Sequence, residues 1–185
     1  MKIAFLDIET TNLAADVGFI LCASFKLSGK KSPIYTTRID DTPGYGKTSQ
    51  MYNDTKVVSD IYKWMTETNP DFLVHYNGSM FDLPYINSRL LKIKHKALPP
   101  FRSIDHWKTS RYSLKLHSHS LDSLARHLEL KEQKTFFDTS VWQRAAYGSK
   151  KDMDNIVKHC EIDVRVLEEC HDQVVPLLRS LRGIY

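Results

Sequence analysis

Four acidic residues in three places carry the chemistry of this sequence. Asp7 and Glu9 stand two apart at the end of an apolar run, KIAFLD. If that run is a strand, a period of two puts both carboxylates on one face of the sheet. Two acids there are costly unless something positive binds them. The second place is Tyr76-Asn77-Gly78-Ser79-Met80-Phe81-Asp82, a strand-to-helix transition with Asp82 in the first helical turn. The third is His159-Cys160-Glu161-Ile162-Asp163 in a long helical pattern, where His159 and Asp163 at i, i+4 share a face. Taken singly, each has an ordinary explanation: rim residues at a strand end, a carboxylate favoured by a helix dipole, a helix-surface pair. Gly46-Lys47-Thr48 invites a phosphate-loop reading. The full motif needs a glycine where Asp41 stands, and no apolar strand leads directly into the segment, so that reading is rejected.

The elements that must hold these residues follow from hydrophobic period and breakers. Strands are expected over Lys2–Asp7, Val17–Leu27, Pro33–Ile39, Phe72–Tyr76 and Arg102–Asp105, with a hairpin turn at Gly29. Asp40–Asp54 reads as a long loop. Helices are expected over Thr55–Thr68 (Thr55 as N-cap, Pro70 as stop), Ser79–Leu91, Ser120–Leu130, Thr139–Tyr147 (Thr139 as cap, Gly148 as stop) and Asp152–Val174. Pro176 breaks or kinks the last, and Leu177–Leu181 continues as a short terminal helix. Strands first, then strand–helix alternation, describe an α/β chain: a mixed sheet with helices on its faces.

At 185 residues the chain is expected to form one domain, 1–185. Its 42% apolar and 11% aromatic content exclude disorder. No uncharged apolar run approaches the ~18 residues of a membrane span, and Asp7 and Glu9 interrupt what could otherwise be a secretory signal. Three cysteines with no Cys-x-x-Cys fit a reducing compartment better than a disulfide scaffold. The expected location is therefore cytoplasmic or nucleoid-associated, not secreted. Cys160 and Cys170, about 15 Å apart on one helix, cannot bond to each other. The net charge of +4 is too modest to name a partner, but it is uneven. Residues 89–134 hold 11 Lys+Arg against 4 Asp+Glu, and 5 of the 8 His. Such a stretch fits either a polyanion track or an ordinary solvated face.

Together and in order, Asp7-Ile8-Glu9-Thr10-Thr11, the 76–82 segment and Asp163 in a late helix resemble the three motifs of the DEDD 3′→5′ exonuclease superfamily. The resemblance is closest to the proofreading domain of family B DNA polymerases and its stand-alone relatives, and it covers nearly the whole chain. Ser120-Leu121-Asp122-Ser123-Leu124-Ala125 and Lys134 also resemble the segment between the second and third motifs. The resemblance implies a ribonuclease H-like mixed β-sheet flanked by helices. It implies Asp7, Glu9, Asp82 and Asp163 as metal ligands, Thr10 and Leu13 as contacts to the terminal nucleotide, and Asn77 and Phe81 as shapers of the site and strand path. Oxygen-only ligands suit two divalent ions, Mg²⁺ or Mn²⁺. Asp7 would be the bridging ligand. His117 and His119 lack a cysteine partner for zinc and are read as surface or substrate-side residues, and Asp105, Asp122 and Asp138 as structural.

One departure matters. The family's tyrosine subclass has Tyr four before the last Asp, and its histidine subclass has His five before it. Here His159 lies four before Asp163, with Lys158 five before. His159 on that face is read as orienting or deprotonating the attacking water; the alternative is that it only packs the site. The implied activity is metal-dependent removal of nucleotides from the 3′ end of single-stranded nucleic acid, DNA ahead of RNA, with the basic stretch as phosphate track and Phe101, Trp107 and Tyr112 as stacking partners. The competing readings are an exoribonuclease, a non-catalytic nucleic-acid-binding module on the same fold, and a structure-specific endonuclease.

Overall fold

The computed structural model describes residues 1–47, 53–131 and 137–181. Thr48 of the rejected phosphate loop and Lys134 of the basic stretch lie outside these residues. The apolar N-terminal runs build an antiparallel meander of β1 (Ile3–Thr10), β2 (Ile20–Leu27) and β3 (Ile34–Arg38). On the other side of β1, β4 (Phe72–His75) pairs parallel to it, and β5 (Arg102–Asp105) parallel to β4. The order is β3-β2-β1-β4-β5, the mixed sheet expected, with β1 at its centre. The helices are α1 (Thr55–Thr68), α2 (Asp82–Lys92), α3 (His106–Ser113), α4 (Leu121–His127), α5 (Ser140–Ala146) and α6 (Lys150–Val174).

Alternation along β1 feeds two cores. Ala4, Leu6 and Ile8 pack with Val57, Ile61 and Met65 of α1 and Ile86 and Leu90 of α2. Phe5 packs with Val74 of β4, Leu124 of α4, and Ile162 and Val166 of α6. Asp7 and Glu9 continue the Phe5 face. α6 is tied down along its length by sheet residues of the same face. Arg38 donates to Asp154 (2.6 Å), Thr36 to Glu161 (2.9 Å), and Lys26 lies 2.5 Å from Glu168. Glu168 also accepts the Gly29 N–H at 2.7 Å, which fixes the β2–β3 turn. Gly29 has φ +130, which suits glycine.

The differences from expectation have local causes. β1 runs three residues further than expected because β2 pairs with it as far as Thr10. α2 starts at Asp82 rather than Ser79, after a turn in which Asn77 adopts φ 61. α4 stops at His127, where Leu130 N–H bonds Ala125 C=O and Glu129 takes φ 54, a Schellman ending without glycine. Neither Thr55 nor Thr139 caps by its side chain. Asn53 accepts the Thr55 N–H, and Asp138 accepts the Ser140 N–H. The terminal segment is a 3-10 turn, Val175–Leu181. α3 was not expected, since HWKTSRYS has no apolar stripe; Asp105 caps it by accepting the Trp107 N–H. Gly46, the tempting phosphate-loop glycine, instead packs against Gly148, where an added Cβ would come 2.8 Å from the Gly46 Cα.

Candidate active site

β1 outruns its parallel neighbour: β4 pairs with it only from Ile3 to Phe5. Asp7 and Glu9 therefore project from the part of the central strand that β4 leaves uncovered, and the β1–β2 register shifts between Glu9 and Thr10. α6 crosses above them. Cys160 donates its thiol to the Asp7 carbonyl at 3.4 Å. Burial pushes that thiol well above its ordinary range, which keeps it a neutral donor. One residue earlier on the helix, His159 Nε2 comes 3.7 Å from Glu9 Oε1 and 4.0 Å from Asp163 Oδ2. His159 and Asp163 are both buried. The i, i+4 pair thus faces the strand-end acids and not solvent.

Asp7 and Asp163 open onto one cleft of about 480 Å³, lined also by Tyr76, Asn77, Trp107 and His119. Its far wall is assembled by hydrogen bonds. Asp105 accepts the backbone N–H groups of Asn77 (2.8 Å) and Ser79 (3.3 Å) while capping α3, which carries Trp107. Tyr76 OH donates to the His119 carbonyl at 2.8 Å, and Ser110 Oγ pairs with His119 Nδ1 at 2.9 Å. Gly78 is required where it lies, since an added Cβ would sit 2.6 Å from the His75 ring.

Asp82 is set differently from the other three acids. Its carboxyl is buried and accepts the backbone N–H of Ile8 and its own N–H. Burial pushes it up to about 7, against the lowering effect of those two hydrogen bonds. Among the described residues no three acidic, histidine or cysteine side chains already converge as a coordination sphere. The donor set at the site is nonetheless hard oxygen on a strand end and a facing helix, which fits Mg²⁺ or Mn²⁺ and not zinc.

The remaining expected contacts divide. Asn77 lines the cleft, and so does Trp107. Thr10 donates its hydroxyl to the Asn12 carbonyl (2.9 Å), and Leu13 is 84% exposed in the turn beyond β1; neither lines the cleft. Phe81 turns onto Tyr85, ring centroids 5.6 Å apart, and Phe101 packs on the first core, so neither faces the cleft. Arg89, counted in the basic stretch, is buried and bidentate to Asp54 at 2.6 and 2.8 Å. Arg126 is ion-paired with Asp122.

Two residues of the site had no reading as such in the sequence. Asp105 carried a signal, an acid directly before a helix start, but α3 lacks the apolar period that would have revealed the helix. Trp142 carried none. It lies on α5, 133 residues from Glu9, yet its indole N–H donates to Glu9 Oε2 at 2.8 Å. Its ring stands edge-on to His159, centroids 5.8 Å apart at 89°.

Known proteins share this architecture. The family B DNA polymerase of the hyperthermophilic archaeon Pyrobaculum calidifontis superposes with a TM-score of 0.78 over 97% of this chain, at 14% identity, and the match covers 25% of that polymerase chain. A DNA polymerase of Orgyia pseudotsugata multicapsid polyhedrosis virus is 40% identical over 38 residues, which is 20% of this chain and 4% of that protein. The chain therefore matches only a fraction of either polymerase. The sequence profile of the RNase_H superfamily matches residues 4–175, nearly all of the chain and every strand and helix of the sheet layer. With its mixed five-stranded sheet and flanking helices, this chain belongs to the RNase H superfamily.

Proposed function

We propose that this protein is a metal-dependent 3′→5′ exonuclease acting on single-stranded nucleic acid, DNA ahead of RNA. The observation that carries the reading is the meeting of Glu9 on β1 with His159 and Asp163 on α6, beside a cleft that Asp7 and Asp163 share. Likeness of fold to the exonuclease region of family B DNA polymerases supports it. Asp7, Glu9, Asp82 and Asp163 would hold the divalent ions. Bound there, the ions would supply charge neutralisation at the phosphodiester and a more acidic water. His159 presents Nε2 toward both carboxylates and would take the proton of the attacking water. Asn77 and Trp107 would hold the strand in the cleft, the indole by stacking on a base. Thr10 and Leu13, at the far end of β1, would meet the terminal nucleotide only if it extends past Glu9.

The alternative is a non-catalytic nucleic-acid-binding module on the same fold. One experiment separates them. Single-stranded DNA and RNA, labelled at the 5′ or the 3′ end, and circular single strands are incubated with Mg²⁺ or Mn²⁺, beside an Asp7→Ala control. The proposal expects a ladder of shortened 5′-labelled products, intact circles and an inactive Asp7→Ala. Degraded circles would indicate an endonuclease, and immediate release of mononucleotide from the 5′ label, ahead of any ladder, would contradict the polarity. Binding without hydrolysis would favour the alternative.

A further inference from the structure

We propose that Trp142 is a positioning residue for Glu9: its indole N–H fixes one carboxylate oxygen so that the other is presented toward His159 and a bound cation. The inference rests on the reading of Glu9 as a metal ligand. Glu9 stands on the end of β1 that β4 does not pair. The indole is a donor only, with one proton to give. On a half-buried residue that proton could go to water; here it goes to Glu9 Oε2 at 2.8 Å. A hydrogen bond to an ionised carboxylate is among the stronger kinds. It leaves Oε1 as the oxygen nearer His159, at 3.7 Å.

The same ring sets the imidazole. Trp142 and Phe137 both stand edge-on to His159, at 5.8 and 6.0 Å, and lie 6.5 Å from each other. One side chain thus fixes the angle between the acid of β1 and the histidine of α6. α5 is rigid enough to do this. Val141 and Ala145 are buried, Tyr45 OH donates to the Ala145 carbonyl, and Ser149 N–H closes the helix end on Arg144 C=O at 2.9 Å. Removing a group that holds a metal ligand in this way typically costs about 10- to 100-fold in affinity.

The test is Mn²⁺ binding, read by electron paramagnetic resonance of the free ion, with no substrate present. Trp142→Phe keeps an aromatic ring and loses the donor, and should weaken Mn²⁺ about 10- to 100-fold. Phe137→Leu removes the other aromatic neighbour of His159 but no bond to Glu9, and should leave the affinity unchanged. Glu9→Gln tests the underlying reading. If Glu9→Gln weakens binding and Trp142→Phe does not, the proposal is overturned and the metal site stands. If Glu9→Gln binds like the unaltered protein, Glu9 is not a ligand and both fall. Equal losses in Trp142→Phe and Phe137→Leu would assign Trp142 to packing alone. Should Trp142→Phe fail to fold, the unaltered protein decides the matter. Its Trp142 indole ¹H–¹⁵N signal, assigned by exclusion with Trp64→Phe and Trp107→Phe, should move as Mg²⁺ is added, and a signal unmoved at saturation overturns the proposal.

Discussion

His159 is the residue at which the chain departs from the motif it otherwise follows, and its surroundings bear on its role. It is enclosed by Trp142 and Phe137, with Nε2 directed at Glu9 and Asp163. Under the proposed function this nitrogen takes the proton of the attacking water. His159→Ala is expected to lower the hydrolysis rate at saturating Mg²⁺ by about 10²- to 10⁴-fold, the usual weight of general acid–base catalysis. His159→Tyr should retain part of the rate, because a hydroxyl from the same helix position reaches the same acids. Near-full activity in His159→Ala would make it a packing residue. The faces that Asp7, Glu9, His159 and Asp163 occupy were legible in the sequence, since strand period and helix period fix them. Trp142 was not, because no period links α5 to β1; only the packing of α5 on α6 brings the indole to Glu9. Asp82 was legible in position but not in setting: its turn toward the Ile8 N–H depends on β4 stopping short of β1's end.

Between elements, two buried polar clusters govern stability. The first joins α2 to the start of α1 and of β2. Arg89 is bidentate to Asp54 and also donates to the Ala15 carbonyl at 3.0 Å, while Asp54 accepts the Ile20 N–H at 2.9 Å. Arg89→Ala would strand a carboxylate that is 1% exposed, and is expected to cost about 3–5 kcal/mol in denaturant unfolding. A loss below ~1 kcal/mol, typical of exposed pairs, would contradict this account. The second cluster lies under the cleft wall. His106 Nε2 is 2.8 Å from His171 Nδ1, and His106 Nδ1 is 3.3 Å from Thr109 Oγ1. Burial, then the neighbouring His171, pulls His106 down to about 3, and burial pulls His75 down to about 4. Both are neutral in the native state where the unfolded chain would be protonated. The stability these two histidines contribute is thus full above the ordinary histidine range and is lost as pH drops from ~6.5 toward 4, by up to about 1.4 kcal/mol per pH unit for each group, while Asp82, raised to about 7, offsets one of them over the same window. Thermal melts at pH 7 and 5 should show the drop, and His106→Gln should reduce it; an equal drop in that variant would clear His106. The elements were largely legible because most of them carry a clear period. α1 and β5 have the expected bounds, and the differences of two or three residues fall at element ends that tertiary pairing and turns decide: the end of β1, the starts of β2, α2 and α6, and the end of α4. α3 escaped because its buried residues, His106, Thr109 and Ser110, are polar and satisfied by one another and by His171 and His119.

Across the whole molecule, folding redistributes the basic stretch that the sequence presents as a block. Arg89 goes into the interior, Arg126 pairs with Asp122, and Lys92 donates to the Asp16 carbonyl at 3.3 Å. Of the rest, Lys108, Arg111 and the exposed Lys115 are the cations between the cleft residues Trp107 and His119, on α3 and the segment that follows it. Under the proposed function a site made of carboxylates repels the substrate's phosphates, and nearby cations would provide the longer-range attraction. If these residues meet phosphates, deleting one cation means one counterion fewer is released on binding, and the salt slope of log K falls by about 0.7 for a single strand. A Lys108→Ala, Lys115→Ala double variant is therefore expected to bind a single-stranded oligonucleotide more weakly at low salt, with a slope shallower by about 1.4. Lys63→Ala is the comparison. Lys63 is exposed on α1, which packs on the opposite face of the sheet, and its partner is Glu67 at 3.9 Å. Fluorescence anisotropy across a KCl series in Asp7→Ala, so that no substrate is consumed, measures all three. Parallel salt slopes for the double variant and the Lys63→Ala protein would remove α3 from the strand's path and leave the cleft's polar wall, Asn77 and His119, to hold it.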